Sequence, residues 1–335
     1  MTDDEAFIRA IVAAPGDDAP RLVYADWLDE RGDPRGAYLR AEVRWAKDRA
    51  NDSGVSLRTW AGGLDPVWVA RVSRPPVGVC CDRAAFDSDD PLPTPAQVDQ
   101  VEKRSGVRFP VQYQAFLLNY NGGTPWPRRF PLPNGRTGGL FRCYSIGAAR
   151  TRQDRAWDLS SRLAEVADQR AGRDRSLWND SRGRHLMPIA EGVPIADWRI
   201  LGLGLDREAP GRVYWADDYL DMGEESVLRV GESLAAFLAS LVDTRPDWVR
   251  LIGADDLPGL RRWLDAGGDP SEQYQEEQRH LPVTPLIQAI YDDRPDMVRE
   301  LIRRGADVPP DLPEVLGSSL TRDMARLIAA EQRRR

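Results

Sequence analysis

Few side chains in this sequence have the types and spacing that acid–base or nucleophilic catalysis requires. The 335 residues include two histidines, His185 and His280, and neither lies in an HExxH or GxSxG context. Cys80 and Cys81 are adjacent and lack the CxxC spacing of a redox pair, and Cys143 stands apart from them. We therefore predict loop or surface histidines, buried structural thiols, no metal site, no cofactor and a protein that is not an enzyme.

An acidic stretch interleaved with aromatic residues is the strongest candidate for a binding site. Carboxylates steer a protein toward a basic partner, and aromatic side chains supply the buried area of binding hot spots. We predict that the partner-binding residues are Trp215, Asp217, Asp218, Tyr219, Asp221, Glu224 and Glu225, with Tyr120 and Trp126 at the rim. Two alternatives stay open: a solvated loop between a strand and the last helix, and a metal site, although the spacing does not match an EF-hand loop.

The segment 125–183 is long and rich in arginine. Its arginines alternate with carboxylates at helical spacing, which is typical of a solvated, ion-paired face. The whole chain has a formal net charge of −7, whereas binding to phosphates requires a concentrated basic surface. We therefore predict no nucleic-acid partner, and binding of this segment to an acidic partner is the alternative.

Length and composition predict a soluble protein of two or three domains. The chain is 41% hydrophobic and 30% charged, and it is long enough for more than one buried core. No run approaches the roughly 20 apolar residues of a membrane-spanning helix. The first ten residues are acidic where a signal peptide would be basic, so we predict a cytoplasmic location and no membrane partner.

Residues 94–123 predict two short helices separated by a turn. The Thr-Pro-Ala-Gln start at 94–97 has the pattern of a capping box, and Gly106 ends the first helix. After Pro110, the second helix carries an apolar stripe at the spacing i, i+3, i+4 and i+7. The stripe consists of Tyr113, Phe116, Leu117 and Tyr120. The Asn-Gly-Gly run at 121–123 tolerates the positive φ angles of a tight helix exit.

These helices carry a combination of residues that resembles the opening of the SUKH superfamily, the SMI1/KNR4-like domains. The combination is Glu102, the Gly-Val-x-Phe-Pro turn at 106–110, Tyr113, the Phe-Leu pair at 116–117 and the Asn-Gly-Gly exit. Three later segments, 186–190, 211–218 and 233–241, are similar to the family's strands and closing helix.

The SUKH resemblance spans residues 93–243 and implies a fold and a class of function. The implied fold is α+β, with helices packed on a central mixed sheet. Many bacterial members of the family are immunity proteins that bind and block toxins, and others are binding or scaffold domains.

The residues before this domain divide into a small helical module and a connector. Residues 1–50 show two short apolar stripes, and the segment 20–42 resembles a bacterial repeat-companion domain. Arg21, the Tyr-Ala-Asp-Trp-Leu run at 24–28 and the Arg-Gly-Asp-Pro-Arg-Gly run at 31–36 carry this resemblance. We predict that residues 51–92 form a connector to the SUKH-like domain that packs partly on one neighbour.

The last part of the chain, residues 244–335, contains an internal repeat. The segment 263–269 parallels 301–307 at a spacing of 38 residues, close to the length of an ankyrin unit. The Thr-Pro-Leu-Ile-Gln-Ala run at 284–289 resembles the ankyrin signature, with Ile287 in the place of the usual histidine. We predict a helical pair of ankyrin-like repeats and a degenerate third unit.

Together these features predict non-catalytic protein–protein binding by a bacterial protein. The leading hypothesis is an immunity-like protein that occludes a toxin by covering a basic surface on that toxin, or a scaffold built on a SUKH domain. The alternative is a ligand-sensing regulatory scaffold that signals through the ankyrin-like repeats. An enzyme that uses His185 is a third hypothesis, and the sequence leaves the oligomeric state open.

Overall fold

The computed structural model divides the chain into two compact units, Met1–Asp243 and Thr244–Arg335. The described residues are 2–48, 54–81, 85–88, 90–147, 157–164, 186–192, 199–205, 210–217, 227–274, 282–310, 312–317 and 320–334. Helices and sheets both contribute to them, which confirms the predicted α+β class. Within these ranges, no helix is long and apolar enough to cross a membrane.

Five helices open the first unit: α1 (Asp3–Ala13), α2 (Ala19–Asp29), α3 (Arg35–Lys47), α4 (Val55–Trp60) and α5 (Pro66–Val72). Side-chain caps fix two of their starts. The Thr2 hydroxyl accepts a hydrogen bond from the Glu5 backbone N–H, and the Asp65 carboxylate accepts one from the Val67 backbone N–H. The helices bury their apolar faces in one core, which includes Ile8, Ile11, Tyr24, Leu28, Tyr38, Leu39, Leu57 and Trp68.

Residues 66–81, which comprise α5 and the segment after it, are called the strap below. From Trp68 to Cys81 every residue except Pro76 is buried. Val72 and Cys80 join the core of the N-terminal helices, whereas Val79 and Cys81 join the core of the domain that follows. The connector predicted at 51–92 would pack partly on one neighbour, whereas the strap within it is buried and contributes to two cores.

A buried polar link joins α1, the strap and the domain that follows it. The Arg71 guanidinium donates to both carboxylate oxygens of Glu5, at 2.8 and 2.9 Å. Arg71 Nε also donates to Asn119 Oδ1 at 2.9 Å, and Asn119 Nδ2 donates back to the Arg71 carbonyl oxygen at 3.0 Å. Each polar group of this link has a partner, as groups removed from water require.

The link makes the stability of the first unit depend on the charge of Glu5. Partial burial acts to raise the pKa of Glu5, but hydrogen bonds and charge from Arg71, aided by Arg9, bring this pKa below its ordinary value. A lowered carboxyl pKa contributes stability that is present above the unfolded pKa of about 4.3 and is lost as the pH falls through the folded pKa.

We expect Glu5→Gln to lower the melting temperature at pH 7 and to change it progressively less as the pH falls below the unfolded pKa of about 4.3. Thermal melts of both proteins at half-unit steps from pH 7 to pH 3 measure this difference. A difference in melting temperature that stays constant over the whole range would show that the charge of Glu5 contributes nothing.

The predicted helix pair is present as α6 (Pro95–Ser105) and α7 (Val111–Tyr120). The capping box is confirmed, because the Thr94 hydroxyl accepts from the Gln97 N–H and the Gln97 side chain accepts from the Thr94 N–H. The turn between the helices is held by the buried Glu102 carboxylate, which accepts the Phe109 backbone N–H at 2.5 Å. Glu102 also accepts a longer bond of 3.3 Å from the Gln114 side chain.

The described part of the first unit contains eight strands. In chain order they are β1 (Ala85–Asp87), β2 (Thr124–Trp126), β3 (Arg129–Pro131), β4 (Thr137–Cys143), β5 (Leu186–Gly192), β6 (Arg199–Gly204), β7 (Val213–Asp217) and β8 (Val227–Gly231). β1 pairs with β2, and the other six form one sheet in the order β3-β4-β5-β6-β7-β8. Every pairing among these described strands is antiparallel, so the predicted mixed sheet is wrong. Each strand of the six pairs with its neighbour in sequence.

Helices α7 and α8 (Leu234–Ala239) share one core with the sheet. Residues that alternate along the strands contribute to this core, as the two-residue period of a strand requires. The sheet supplies Met187, Ile189, Leu201, Leu203, Val213 and Trp215, and the helices supply Tyr113, Phe116, Leu117, Leu234, Phe237 and Leu238.

The second unit repeats a helix pair. Its helices are α9 (Asp247–Gly253), α10 (Leu257–Asp265), α11 (Pro285–Tyr291), α12 (Pro295–Arg303), α13 (Leu312–Leu316) and α14 (Arg322–Arg334). The first two helices recur 38 residues later as α11 and α12, with the same lengths, and Asp255 and Asp293 both have a positive φ, of 55° and 51°. The predicted internal repeat is confirmed, and its ankyrin-like identity stays a prediction.

Ion pairs at a regular interval join the two repeats. Asp255 pairs with Arg294 at 3.3 Å, Arg261 with Glu300 at 3.0 Å, and Asp265 with Arg304 at 2.7 Å. Partners lie 39 residues apart in each case, one more than the repeat length. Neighbouring repeats therefore contact each other through equivalent positions, as expected of a stacked array.

Candidate functional site

The predicted acidic site begins at the end of β7. Asp217 is the last residue of β7, and its backbone pairs with that of Arg199, the first residue of β6. β8 begins at Val227 and runs antiparallel to β7, so residues 218–226 join the two strands at this end of the sheet. The other acidic and aromatic residues of the prediction, Asp218, Tyr219, Asp221, Glu224 and Glu225, lie outside the described residues.

Trp215 lies in the core, so its predicted role as a partner-binding residue has to be corrected. Its side chain is 1% exposed, and its ring packs against Phe130 with a centroid distance of 5.1 Å. The indole also lies over Gly192, where a Cβ atom would be 2.2 Å from the ring. Two-residue alternation puts Trp215 on the face that α7 and α8 cover, and an indole buried there has no surface to offer a partner.

Tyr120 contacts the strap. Its hydroxyl donates to the Val79 carbonyl oxygen at 3.2 Å and accepts the Cys81 backbone N–H at 3.3 Å, and its ring packs on Phe86. Burial raises the pKa of the Tyr120 hydroxyl well above its ordinary value. The structure therefore gives Tyr120 a place in the contact between α7 and the strap.

Trp126 is the described member of the predicted set with a large exposed fraction, 39%. It ends β2, where its backbone pairs with that of Ala85 in β1. Near β2, Gly123 forms a bridge with Cys143 of β4, and β5 and β6 separate β4 from β7. With strands about 4.8 Å apart, β4 and β7 are separated by roughly 14 Å of sheet, so Trp126 is not brought next to Asp217.

The Asn-Gly-Gly run after α7 is a packing motif. Asn121 is buried, with a φ of 49°, and its side chain bonds the backbone N–H and carbonyl oxygen of Ile146 and the carbonyl oxygen of Pro91. At Gly122 a Cβ atom would lie 2.6 Å from the Tyr144 carbonyl oxygen. The predicted positive φ angles are confirmed, and their purpose is a close approach of α7 to the segment after β4.

A polar cluster at the end of β4 was missed by the sequence analysis. The Ser145 hydroxyl donates to Asp90 Oδ2 at 2.7 Å, and Arg142 reaches the same oxygen at 3.3 Å. In the same part of the fold, the Tyr144 hydroxyl donates to Glu191 at 3.0 Å. The partners come from three segments that are distant in sequence, so no local spacing predicts the cluster. Their hydrogen bonds connect the end of β4 to Asp90 and to β5.

The buried thiols have the chemistry of structural cysteines. Burial raises the pKa of Cys80 to about 11 and that of Cys143 to about 12, so both stay protonated at neutral pH. In the described ranges, no three histidine, cysteine or acidic side chains are arranged to hold a metal ion. His185 and His280 lie outside those ranges.

Comparison with known proteins places the central domain in a family. Neither the curated proteins nor the solved structures gave a match to this chain. Residues 92–240 match the model of the SMI1 / KNR4 family (SUKH-1), and this range contains α6, α7, the six-stranded sheet and α8. The chain therefore carries an SMI1/KNR4 (SUKH-1) domain, as the motifs of α6 and α7 predicted.

Proposed function

We propose that this chain is a non-catalytic protein-binding protein whose SUKH domain binds a basic partner. SUKH domains are associated with protein–protein interaction, commonly with toxins. The partner would be a basic toxin domain that the chain blocks as an immunity-like protein, or the client of a scaffold. A nuclease toxin fits this chemistry, because an active site that holds phosphates must be basic.

The observation that supports this proposal is the position of the acidic stretch. Asp217 ends β7, and four further carboxylates, at 218, 221, 224 and 225, fall between β7 and its neighbour β8. The strands β7 and β8 fix the two ends of this stretch, which favours its presentation at one end of the domain. Carboxylates grouped there would attract a basic surface and raise the rate of association at low salt.

The corrected site differs from the predicted one in its aromatic part. Trp215 is buried in the core, and the Tyr120 hydroxyl forms a hydrogen bond with the strap. Neither residue is included in the proposed contact. The proposed contact consists of Asp217, Asp218, Tyr219, Asp221, Glu224 and Glu225. Trp126 is exposed at the end of β2, which pairs with β1 and lies near β4, three strands from β7. It belongs to the contact only if the partner is broad enough to span that distance.

The first experiment is a pull-down from the native lysate with the full chain as bait, followed by affinity measurements with the protein recovered. A deletion of residues 93–243 is a poor control, because it removes α7 and leaves the buried side of the strap uncovered. Charge reversal by Asp217→Lys with Asp218→Lys keeps the rest of the chain unchanged and alters only the acidic stretch. We expect it to raise the dissociation constant about 10-fold or more and to weaken the dependence of association on salt.

A matched control reverses two exposed carboxylates far from the sheet end. Glu30→Lys with Asp99→Lys makes the same change in net charge, at the residue after α2 and on α6. This variant should bind with the wild-type dissociation constant. Equal weakening by both double variants would show a general effect of net charge, and normal binding by the Asp217/Asp218 variant would remove the acidic stretch from the proposal.

A further inference from the structure

Three consecutive residues at the end of α5 are each contacted by a different side chain of α2 or α3. Arg21 donates from Nε and Nη2 to the Val72 carbonyl oxygen, at 3.3 and 3.1 Å. The hydroxyls of Tyr38 and Ser73 are 2.6 Å apart. Glu42 accepts the backbone N–H of Arg74 at 3.1 Å and its guanidinium at 2.7 Å.

Arg21 and Glu42 are fully buried and form an ion pair at 3.1 Å. A buried pair of this kind needs further hydrogen bonds to offset the cost of removing two charges from water. The strap supplies them: the Val72 carbonyl oxygen for Arg21, and two donors of Arg74 for Glu42. Without the strap, α2 and α3 would expose a charged pair whose hydrogen-bonding capacity is only partly used.

The Val72 carbonyl oxygen is a natural target for an arginine. The last four carbonyl groups of a helix have no partner inside the helix, and cationic side chains bind well to them. Val72 is the last residue of α5, so Arg21 contacts the strap at the point where its backbone offers an acceptor. The contact between Arg21 and the strap therefore requires that α5 end at Val72, in addition to the side chains around it.

Arg74 is the anchor of the strap. Besides Glu42, its guanidinium binds the carbonyl oxygens of Pro15 at 2.9 Å and Gly16 at 3.3 Å, and the carboxylate of Asp18 at 2.8 Å. These partners lie on two sides of a planar group, on the turn between α1 and α2 and on α3. A lysine at this position has a single ammonium group and cannot reach both sides at once.

Apolar contacts complete the fit. Trp68, Val69, Val72, Val77 and Cys80 of the strap belong to the same core as the apolar residues of α1, α2 and α3. The Trp68 indole N–H also donates to the Tyr24 hydroxyl at 3.3 Å. The strap therefore fills the core of these helices as well as their polar site.

We infer that α1, α2 and α3 form a peptide-binding module, and that its ligand is a short helix whose last residue is a valine followed by Ser-Arg. In this protein the residues 66–81 of the same chain occupy the module. Arg21 binds the last carbonyl oxygen of the helix, and Tyr38 forms a hydrogen bond with the serine hydroxyl. Glu42 and the turn between α1 and α2 bind the arginine side chain. This inference does not depend on the proposed partner of the SUKH domain.

The test uses the full chain with a protease site introduced within residues 49–53, between the module and the strap. After cleavage, we expect the two pieces to co-elute in size-exclusion chromatography with the mass of one uncut chain. Separation of the pieces at micromolar concentration would overturn the inference. A complex with twice the mass would also overturn it in its present form, because the strap of a second copy would then occupy the module.

Two sets of variants test the specificity of the site. In the cleaved protein, Arg74→Lys should raise the dissociation constant of the two pieces about 10-fold or more, whereas Arg40→Lys should not, because Arg40 pairs only with surface carboxylates of α2 in the described structure. An unchanged dissociation constant for Arg74→Lys would overturn the role of Arg74.

A double-mutant cycle remains informative if Arg74→Lys fails to fold. Tyr38→Phe and Ser73→Ala each remove one hydroxyl of a single hydrogen bond. If Tyr38 reads Ser73, the double variant should bind no more weakly than the weaker single variant. Fully additive losses would show that the two hydroxyls act independently, and would overturn the assignment of Tyr38.

Discussion

Replacement of Trp215 by alanine is expected to lower the free energy of unfolding of the first unit by about 3–5 kcal/mol. The indole is 1% exposed and packs on Phe130 and over Gly192, so its removal leaves a cavity between the sheet and the helices. Its Nε1 has no hydrogen-bond partner in the described part of the chain, so the loss is one of packing. Urea unfolding followed by circular dichroism measures this change.

Trp126→Ala is the matched control for this experiment. Trp126 is 39% exposed at the end of β2, and truncation there should cost about 1 kcal/mol or less. The pair of variants separates the two tryptophans that the sequence analysis placed in one binding surface. A loss of free energy of unfolding below 1 kcal/mol for Trp215→Ala would contradict the burial of this side chain in the core.

Replacement of Gly122 by alanine is expected to destabilise the SUKH domain by about 2–6 kcal/mol. Strain at a positive φ of 78° accounts for about 1–3 kcal/mol of this. Overlap of the new Cβ with the backbone adds about 1–3 kcal/mol, because the carbonyl oxygens of Tyr144 and Cys143 would lie 2.6 and 2.7 Å away. Thermal and urea unfolding of the purified variant provide the measurement.

Gly106→Ala separates the two contributions. Gly106 has a similar φ of 67° and ends α6, but no atom lies within 4 Å of the position of its Cβ. This variant should therefore show the cost of backbone strain alone, about 1–2 kcal/mol. If both glycine variants lose the same free energy, the close approach of α7 to the segment after β4 is not what requires Gly122.

Local chemistry explains which parts of the fold the sequence predicted well. The start of α6 depends on Thr94 and Gln97, three positions apart, and its end depends on Gly106 alone. The repeat in the second unit depends on an interval of 38 residues that is visible in the sequence. A helix cap depends on a few neighbouring residues, and a repeat depends on the similarity of two segments. The sequence therefore contains all the information that predicts them.

The strap shows why other features were missed. Pro75, Pro76 and Gly78 have the composition of a loop, and loops are normally exposed. The strap is buried because Arg21 and Glu42, more than 30 positions earlier in the chain, satisfy its polar groups. Only the tertiary structure brings these partners together, and no spacing in the sequence indicates them.

The proposed acidic site differs from the sequence prediction at Trp215, which lies in the core. A two-residue spacing along β7 does not distinguish a residue that the helices cover from one that they leave uncovered. The sequence could not tell where along that strand the core ends. The helices that cover Trp215 come from residues 111–120 and 234–239, and their reach depends on how they pack.

The burial of the strap has a consequence for the order of events during synthesis. The N-terminal helices leave the ribosome before the strap, and the strap leaves before any residue of the SUKH domain. We expect the nascent α1, α2 and α3 to capture the strap first and to leave its other side, which includes Val79 and Cys81, exposed for α7. The N-terminal helices would then act as a built-in template that is complete before the domain they support has been translated.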